Sequence, residues 1–218
     1  MNIGFYVFLG LYAVLVVTHL IFCFLEMEKA RAISKPFIML LLAISFMFLE
    51  PKMPIIYISC LFCMVGDIFM LFKHDFTCFS LGALMFAVHH TLNFIQTKKC
   101  LSYDFHYSVY VGFALLFVLM LLCGYFVSKK KLHGLLAFGF SFFHIVMLIQ
   151  SLLLLFDGKY LYGSFLLLGY LLCIASDLFL DYTTNRKDVK RRDFYIMLTY
   201  LLGELSILMS ISFMSIAL

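Results

Sequence analysis

Apolar residues run along this chain in blocks of about twenty, the length that crosses a bilayer as a helix, and charged or turn-forming residues interrupt them at only a few places. The interruptions fall at Glu26 to Lys35, Glu50 to Met53, Lys73 to Asp75, Lys98 to His106, Ser128 to Lys131, Asp157 to Lys159 and Asp181 to Asp193, leaving eight apolar segments. In hydrocarbon every backbone N–H and C=O must be bonded within its own segment, so segments of this kind are helices. The expected fold is all-α: a polytopic membrane bundle of eight transmembrane helices in a single domain over residues 1–218. Pro36 and Pro54 stand near the starts of the second and third segments, where a missing N–H costs nothing and the fixed φ favours helix entry. The second helix is expected to be the shortest, with Lys35 at its mouth.

Composition agrees, with 65% hydrophobic and 13% charged residues and a mean hydropathy of +1.07, against roughly half apolar and a quarter charged in soluble domains. The first segment, Gly4 to Leu25, exceeds a signal-peptide core, follows no basic region and precedes no small-residue cleavage pattern, so it reads as a retained span. The seven cysteines lie mostly within apolar runs and give no disulfide framework. Cys60 and Cys63 have the gap of a metal motif, but no second pair or histidine stands beside them, which favours packing. The net charge of +4 sits in loops and speaks to topology and lipid headgroups, not nucleic acid. Twelve basic residues (Lys29, Arg31, Lys35, Lys73, Lys129, Lys130, Lys131, Arg186, Lys187, Lys190, Arg191 and Arg192) fall in odd-numbered connections, against Lys52, Lys98, Lys99 and Lys159 in the even ones. This bias predicts that the odd connections are cytoplasmic and both termini lie on the opposite side.

Two stretches break the apolar pattern in the same way: Gly66-Asp67-Ile68-Phe69-Met70-Leu71 and Ser176-Asp177-Leu178-Phe179-Leu180-Asp181, with their first aspartates 110 residues apart. An acid at the bilayer centre costs about 2.5 to 3.5 kcal/mol, so it faces a bundle interior or a water-filled pocket. Both aspartates are expected at a similar cytoplasmic depth, roughly 5 to 8 Å below their helix ends. Motifs in helices three and seven of eight fit a parallel repeat of four plus four helices. In the fourth segment Gly82, Phe86 and His90 recur every four residues and share a face, which makes His90 a candidate ahead of His89. Glu204 sits mid-span in the last segment, one turn after Tyr200. As structural glue, each acid would need a buried partner such as Lys35. Three embedded acids (Asp67, Asp177 and Glu204) against one embedded base, Lys35, favour function, because an unpaired acid is protonated or shares a proton, the state a proton donor needs.

Ser34-Lys35-Pro36, Gly66-Asp67, Gly82-x3-Phe86-x3-His90, Ser176-Asp177, and Tyr200 ahead of a polar residue resemble, in order, spacing and helix assignment, the YhhN-like lysoplasmalogenase family. Asn93 stands where that family offers tyrosine and Glu204 where it offers glutamine. The resemblance implies hydrolysis of the vinyl ether bond of lysoplasmalogens, with Asp67 and Asp177 catalytic and Lys35, His90, Tyr200, Glu204 and Ser176 binding substrate or supporting. It implies a lysophospholipid substrate in a lipid bilayer, without cofactor, metal or nucleic acid. The setting is the endoplasmic reticulum membrane in a eukaryote or the plasma membrane in a bacterium. The residues suit such chemistry: one aspartic acid protonates the β-carbon, the other, ionised, balances the oxocarbenium and activates water, as in glycosidase carboxylate pairs. A transporter or channel with the acids as proton or cation sites accounts equally for the acids and the repeat, but less well for the Ser-Lys-Pro and histidine motifs. A zinc amidase using His90, Asp67 and Asp177 lacks the usual histidine spacing.

Overall fold

The computed structural model describes residues 2–49, 53–72, 75–102, 107–127, 131–185 and 189–217. Among them the chain forms eight α-helices and no strand: α1 (Ile3–Phe24), α2 (Glu28–Met47), α3 (Pro54–Met70), α4 (Phe76–Lys99), α5 (Tyr107–Val127), α6 (Lys131–Phe156), α7 (Tyr160–Asn185) and α8 (Arg192–Ala217). Local chemistry sets several ends. Pro54 opens α3. Asp75 caps α4 by accepting the Cys78 N–H at 2.8 Å, and that bond holds its carboxyl below the usual range. Lys98 and Lys99 occupy the last turn of α4, where cations offset the negative end of the helix dipole.

Pro36 does not open α2. The helix begins at Glu28 because Glu28-Lys29-Ala30-Arg31-Ala32 are helix-favouring residues, with an acid in the first turn, so the expected break shrinks to Leu25–Met27. Pro36 therefore lies inside α2, and the Ala32 carbonyl loses its partner four residues on. One turn earlier the Ser34 hydroxyl donates to the Ala30 carbonyl at 2.9 Å. Lys35 consequently stands well inside α2 and not at its mouth, and the shortest described helix is α3 with 17 residues, not α2 with 20. The break after Asp181 also closes up, since α7 continues to Asn185. Asp177 is then eight residues from its helix end and Asp67 three, about 12 and 5 Å, so the two aspartates do not sit at matching distances from their helix ends.

Among the described residues, five helical stretches are long and apolar enough to cross a membrane: Ile3–Phe24, Glu28–Met47, Phe76–Lys99, Tyr160–Leu180 and Arg192–Ala217. Pro54–Met70, Val109–Cys123 and Ser141–Phe156 are shorter apolar helical stretches. Large apolar side chains such as Val14, Leu84, Leu115, Leu168 and Leu202 face outward on several helices, a surface a soluble monomer rarely shows and one compatible with an integral membrane protein. Lys52, Lys73, Lys129, Lys130, Arg186, Lys187 and His74 lie outside the described residues.

Neighbouring helices pack in chain order, α1 on α2, α2 on α3 and α3 on α4, then α5 on α6, α6 on α7 and α7 on α8. The halves meet where α4 packs on α6, and α8 returns to both α1 and α4. Each half brings one helix pair close through glycines. A Cβ on Gly82 of α4 would lie 3.3 Å from the Gly66 carbonyl oxygen of α3, and one on Gly203 of α8 would lie 2.9 Å from the Gly169 carbonyl oxygen of α7. Without a hydrophobic drive between helices in lipid, backbone approach at small residues is what lets them pack. Helix α8 places Leu201, Ile207, Leu208, Ile211 and Met214 in the core, and with them it buries Glu204, Ser210 and Ser212.

Candidate active site

Ser59, Cys63 and Asp67 recur every four residues and form a polar stripe along one face of α3. All three are buried. Asp67, next to the end of α3, accepts from Lys35 Nζ of α2 at 2.9 Å through Oδ1 and from the Tyr200 hydroxyl of α8 at 3.0 Å through Oδ2. With the Tyr200 proton committed to Asp67, the Cys63 thiol donates to the Tyr200 oxygen at 2.9 Å. Phe86 of α4 meets the Tyr200 ring edge-on with centroids 6.3 Å apart, and its ring also lies 3.2 Å from where a Gly66 Cβ would be. The glycine before the aspartate thus admits the aromatic ring that fixes the tyrosine bonded to that aspartate. Lys35 is the partly buried cation that a carboxylate in this place requires, and its position inside α2 is what lets it reach.

One turn along α8 from Tyr200, Glu204 is not the partnerless acid its surroundings in the chain suggest. Its Oε2 lies 3.0 Å from Nε2 of His89, and both side chains are almost wholly buried. The Ser59 carbonyl oxygen accepts from His89 Nδ1 at 3.0 Å, which leaves Nε2 facing Glu204 and the Asn93 amide nitrogen, the latter also at 3.0 Å. Asn93 Oδ1 in turn accepts from the Ser59 hydroxyl at 2.8 Å. His89, not His90, therefore enters the acid network. Asn93, which departs from the pattern of the resembled family, holds it there.

The third group belongs to α4, α6 and α7. The His90 ring lies with its centroid 5.1 Å from His144 and 5.7 Å from Tyr170, and His144 Nε2 is 3.5 Å from Asp177 Oδ2. The Asp177 side chain is 43% exposed against 3% for Asp67, so the two acids sit in different surroundings. Ser176 serves α7–α8 packing, its hydroxyl donating to the Ile196 carbonyl at 3.0 Å. Asp67 and Asp177 share no contact. Glu204 lies within electrostatic reach of both, and its Oε1 accepts weakly from the Cys173 thiol of α7 at 3.9 Å. The structure thus brings Lys35, Asp67 and Tyr200 into one contact set, gives Glu204 to His89, and leaves His90 and Asp177 joined through His144.

The model of the YhhN family matches residues 30–211, from the first turn of α2 to within two turns of the end of α8. The chain belongs to the YhhN family. No curated protein and no solved structure matches it. All the residues of the polar groups above fall within the matched part of this YhhN chain, whereas α1 precedes it.

Among the described residues, one group of side chains could hold a metal ion: the Cys63, His89 and Glu204 ligand atoms lie within 4.8 Å of one another. That is not the set of His90, Asp67 and Asp177 considered from sequence. Every atom of it already has a polar neighbour, since Cys63 bonds Tyr200 and His89 Nε2 faces Asn93 and Glu204. Sequence reasoning missed Ser59 and His144 and took Cys63 for packing. The four-residue spacing of Ser59, Cys63 and Asp67, of His89 and Asn93, and of Tyr200 and Glu204 is the signal that could have found most of them. His144 is an ionisable residue within an apolar segment, itself a flag in a membrane helix.

Proposed function

We propose that this YhhN-family chain is a membrane hydrolase that cleaves the vinyl ether bond of lysoplasmalogens, releasing a fatty aldehyde and glycerophosphoethanolamine or glycerophosphocholine. The observation that carries the reading is the buried Asp67 held by Lys35 and Tyr200 from two other helices, in a family to which this chemistry was assigned by resemblance. A carboxylate with a lysine ammonium at 2.9 Å is charge-balanced before substrate arrives, which suits the anion of the mechanism. Asp177, which has the His144 imidazole beside it and no cation paired with it among the described residues, is suited to carry the proton.

The reaction then runs as follows. Asp177 gives its proton to the β-carbon of the vinyl ether, and the oxygen lone pair forms the oxocarbenium ion. Asp67 balances that charge and takes a proton from the attacking water as the C–O bond forms. The hemiacetal collapses to aldehyde and alcohol, and the proton gained by Asp67 restores Asp177 through solvent, so one water is consumed overall. Lys35 and Tyr200 hold Asp67, Glu204 and His89 support α3, α4 and α8 around it, Ser176 steadies the Asp177 helix, and His90 orients His144. The substrate is a single-chain lysophospholipid taken from the bilayer, and no nucleic acid or cofactor takes part.

With the basic connections in the cytoplasm and eight spans in a four-plus-four repeat, the Asp67 end of α3 faces the cytoplasm. The membrane is the endoplasmic reticulum in a eukaryote and the plasma membrane in a bacterium. The test is direct: purified protein is incubated with lysoplasmalogen, with and without chelator, and free aldehyde is measured. Aldehyde release that survives chelation supports the reading. No release above the rate of the Asp67→Asn variant overturns it.

A further inference from the structure

Two apolar grooves lie along the outer seam of α1 and α8 and share Val17 and Leu20, so they form one channel open to the side of the bundle. It runs along α1 from Tyr12 to Leu25, with Leu202 and Phe194 among its walls on α8. The thirteen residue steps from Tyr12 to Leu25 span about 20 Å, enough to cover the roughly 15 Å of hydrocarbon in one leaflet. Its polar lining is nearly nil, and Val17 and Leu202 are exposed in the bundle, as a chain-binding wall requires.

The mouth of this channel is built differently from its length. Phe24 forms the lip, and the Arg191 guanidinium stacks on its ring with Cζ 3.7 Å from the centroid. The Arg191 backbone N–H donates to Glu26 Oε1 at 3.2 Å, tying the α7–α8 connection to the α1–α2 connection. These two residues are the only described non-glycines with positive φ, both at 58°. Left-handed non-glycine residues are strained and are retained only where the surroundings hold that shape. Nearby, Asp193 is occupied by Arg31 and Arg192. No carboxylate among the described residues pairs with the Arg191 guanidinium, and Lys190 in the α7–α8 connection and Lys29 in the first turn of α2 are exposed.

The geometry points to a binding site for an anionic glycerophospholipid, with one acyl chain along the α1–α8 channel and the headgroup phosphate on Arg191. An arginine already held over an aromatic ring can offer its N–H groups to a phosphate at small entropic cost. The site is distinct from the polar groups of α3, α4 and α7, rests partly on a helix outside the family match, and stands whether or not the chain hydrolyses vinyl ethers.

The test uses the full chain in detergent with phosphatidylglycerol or phosphatidylcholine added, and native mass spectrometry to count retained lipid. Arg191→Asn removes the cation while tolerating the left-handed backbone, Val17→Trp fills the channel from an exposed position, and Leu115→Trp is a control on the exposed face of α5. Expected are retention of phosphatidylglycerol over phosphatidylcholine by wild type and by Leu115→Trp, and binding weakened about tenfold by Arg191→Asn. Val17→Trp should lower retention of both lipids. Equal retention by wild type and Val17→Trp overturns the channel, and equal retention by wild type and Arg191→Asn overturns the headgroup site.

Discussion

At the scale of single residues, the point at issue is whether the buried acids bind helices or act on substrate. Asp67 bonds to Lys35 and Tyr200 and would be called glue on that ground alone. The two roles separate in a mutant cycle. Lys35→Met strands a buried carboxylate and should cost about 3 to 5 kcal/mol in a reversible unfolding assay, while adding Asp67→Asn to it should recover most of that stability. Activity should not return in the double mutant, because asparagine cannot balance an oxocarbenium ion or deprotonate water. Asp67→Asn and Asp177→Asn are each expected to remove aldehyde release through kcat with the protein still folded, and the double substitution should be little worse than the more damaging single one. Near-full turnover by both single mutants would end the two-carboxylate mechanism. Tyr200→Phe deletes one hydrogen bond to Asp67 and one acceptor for Cys63, and is expected to lower kcat about tenfold, measured with KM nearly unchanged.

At the scale of elements, the glycine contacts fix how near the site-bearing helices come. A methyl group at Gly169 would stand 2.6 Å from Ile207 Cγ1 and 2.9 Å from the Gly203 carbonyl oxygen, so Gly169→Ala must push α7 from α8. The expected loss is about 1 to 3 kcal/mol, read by unfolding in mixed micelles, with a drop in aldehyde release because α8 carries Tyr200 and Glu204. Gly10→Ala on α1 meets nothing within 4 Å and should leave both readouts unchanged. A smaller effect at Gly169 than at Gly10 would show that the α7–α8 approach is not what holds the site. The same logic explains why a proline inside α2 is tolerated: α2 packs against α1 and α3 on either side, and the lysine before Pro36 is anchored to α3.

At the scale of the whole molecule, the distribution of basic residues predicts how the chain crosses the bilayer. Twelve basic residues in odd connections against four in even ones predict that the C-terminus and the connection after α7 face opposite sides. Reporter fusions at Leu218 and within residues 183–190 should therefore give opposite signals. Identical signals would mean that α8 does not cross, and Asp67 and Tyr200 would then have to meet by another route.

Much was legible in the chain by itself. The lipid environment forces each long apolar segment into a helix, so helix number and the membrane class followed from where charges interrupt the hydrophobic runs. An acid inside such a segment is costly enough that Asp67, Asp177 and Glu204 could be singled out without coordinates. Boundaries were less legible, because helix propensity can carry a helix through charged residues at the membrane surface, as in Glu28 to Lys35 and Asp181 to Asn185. Partnership was decided only in three dimensions. Lys35 meets Asp67, Glu204 meets His89 and His144 meets Asp177 across gaps of 32, 115 and 33 residues, each on a different pair of helices. Helical periodicity orders residues along one face but says nothing of which face of another helix they meet; that depends on the close glycine contacts and on how far each helix extends.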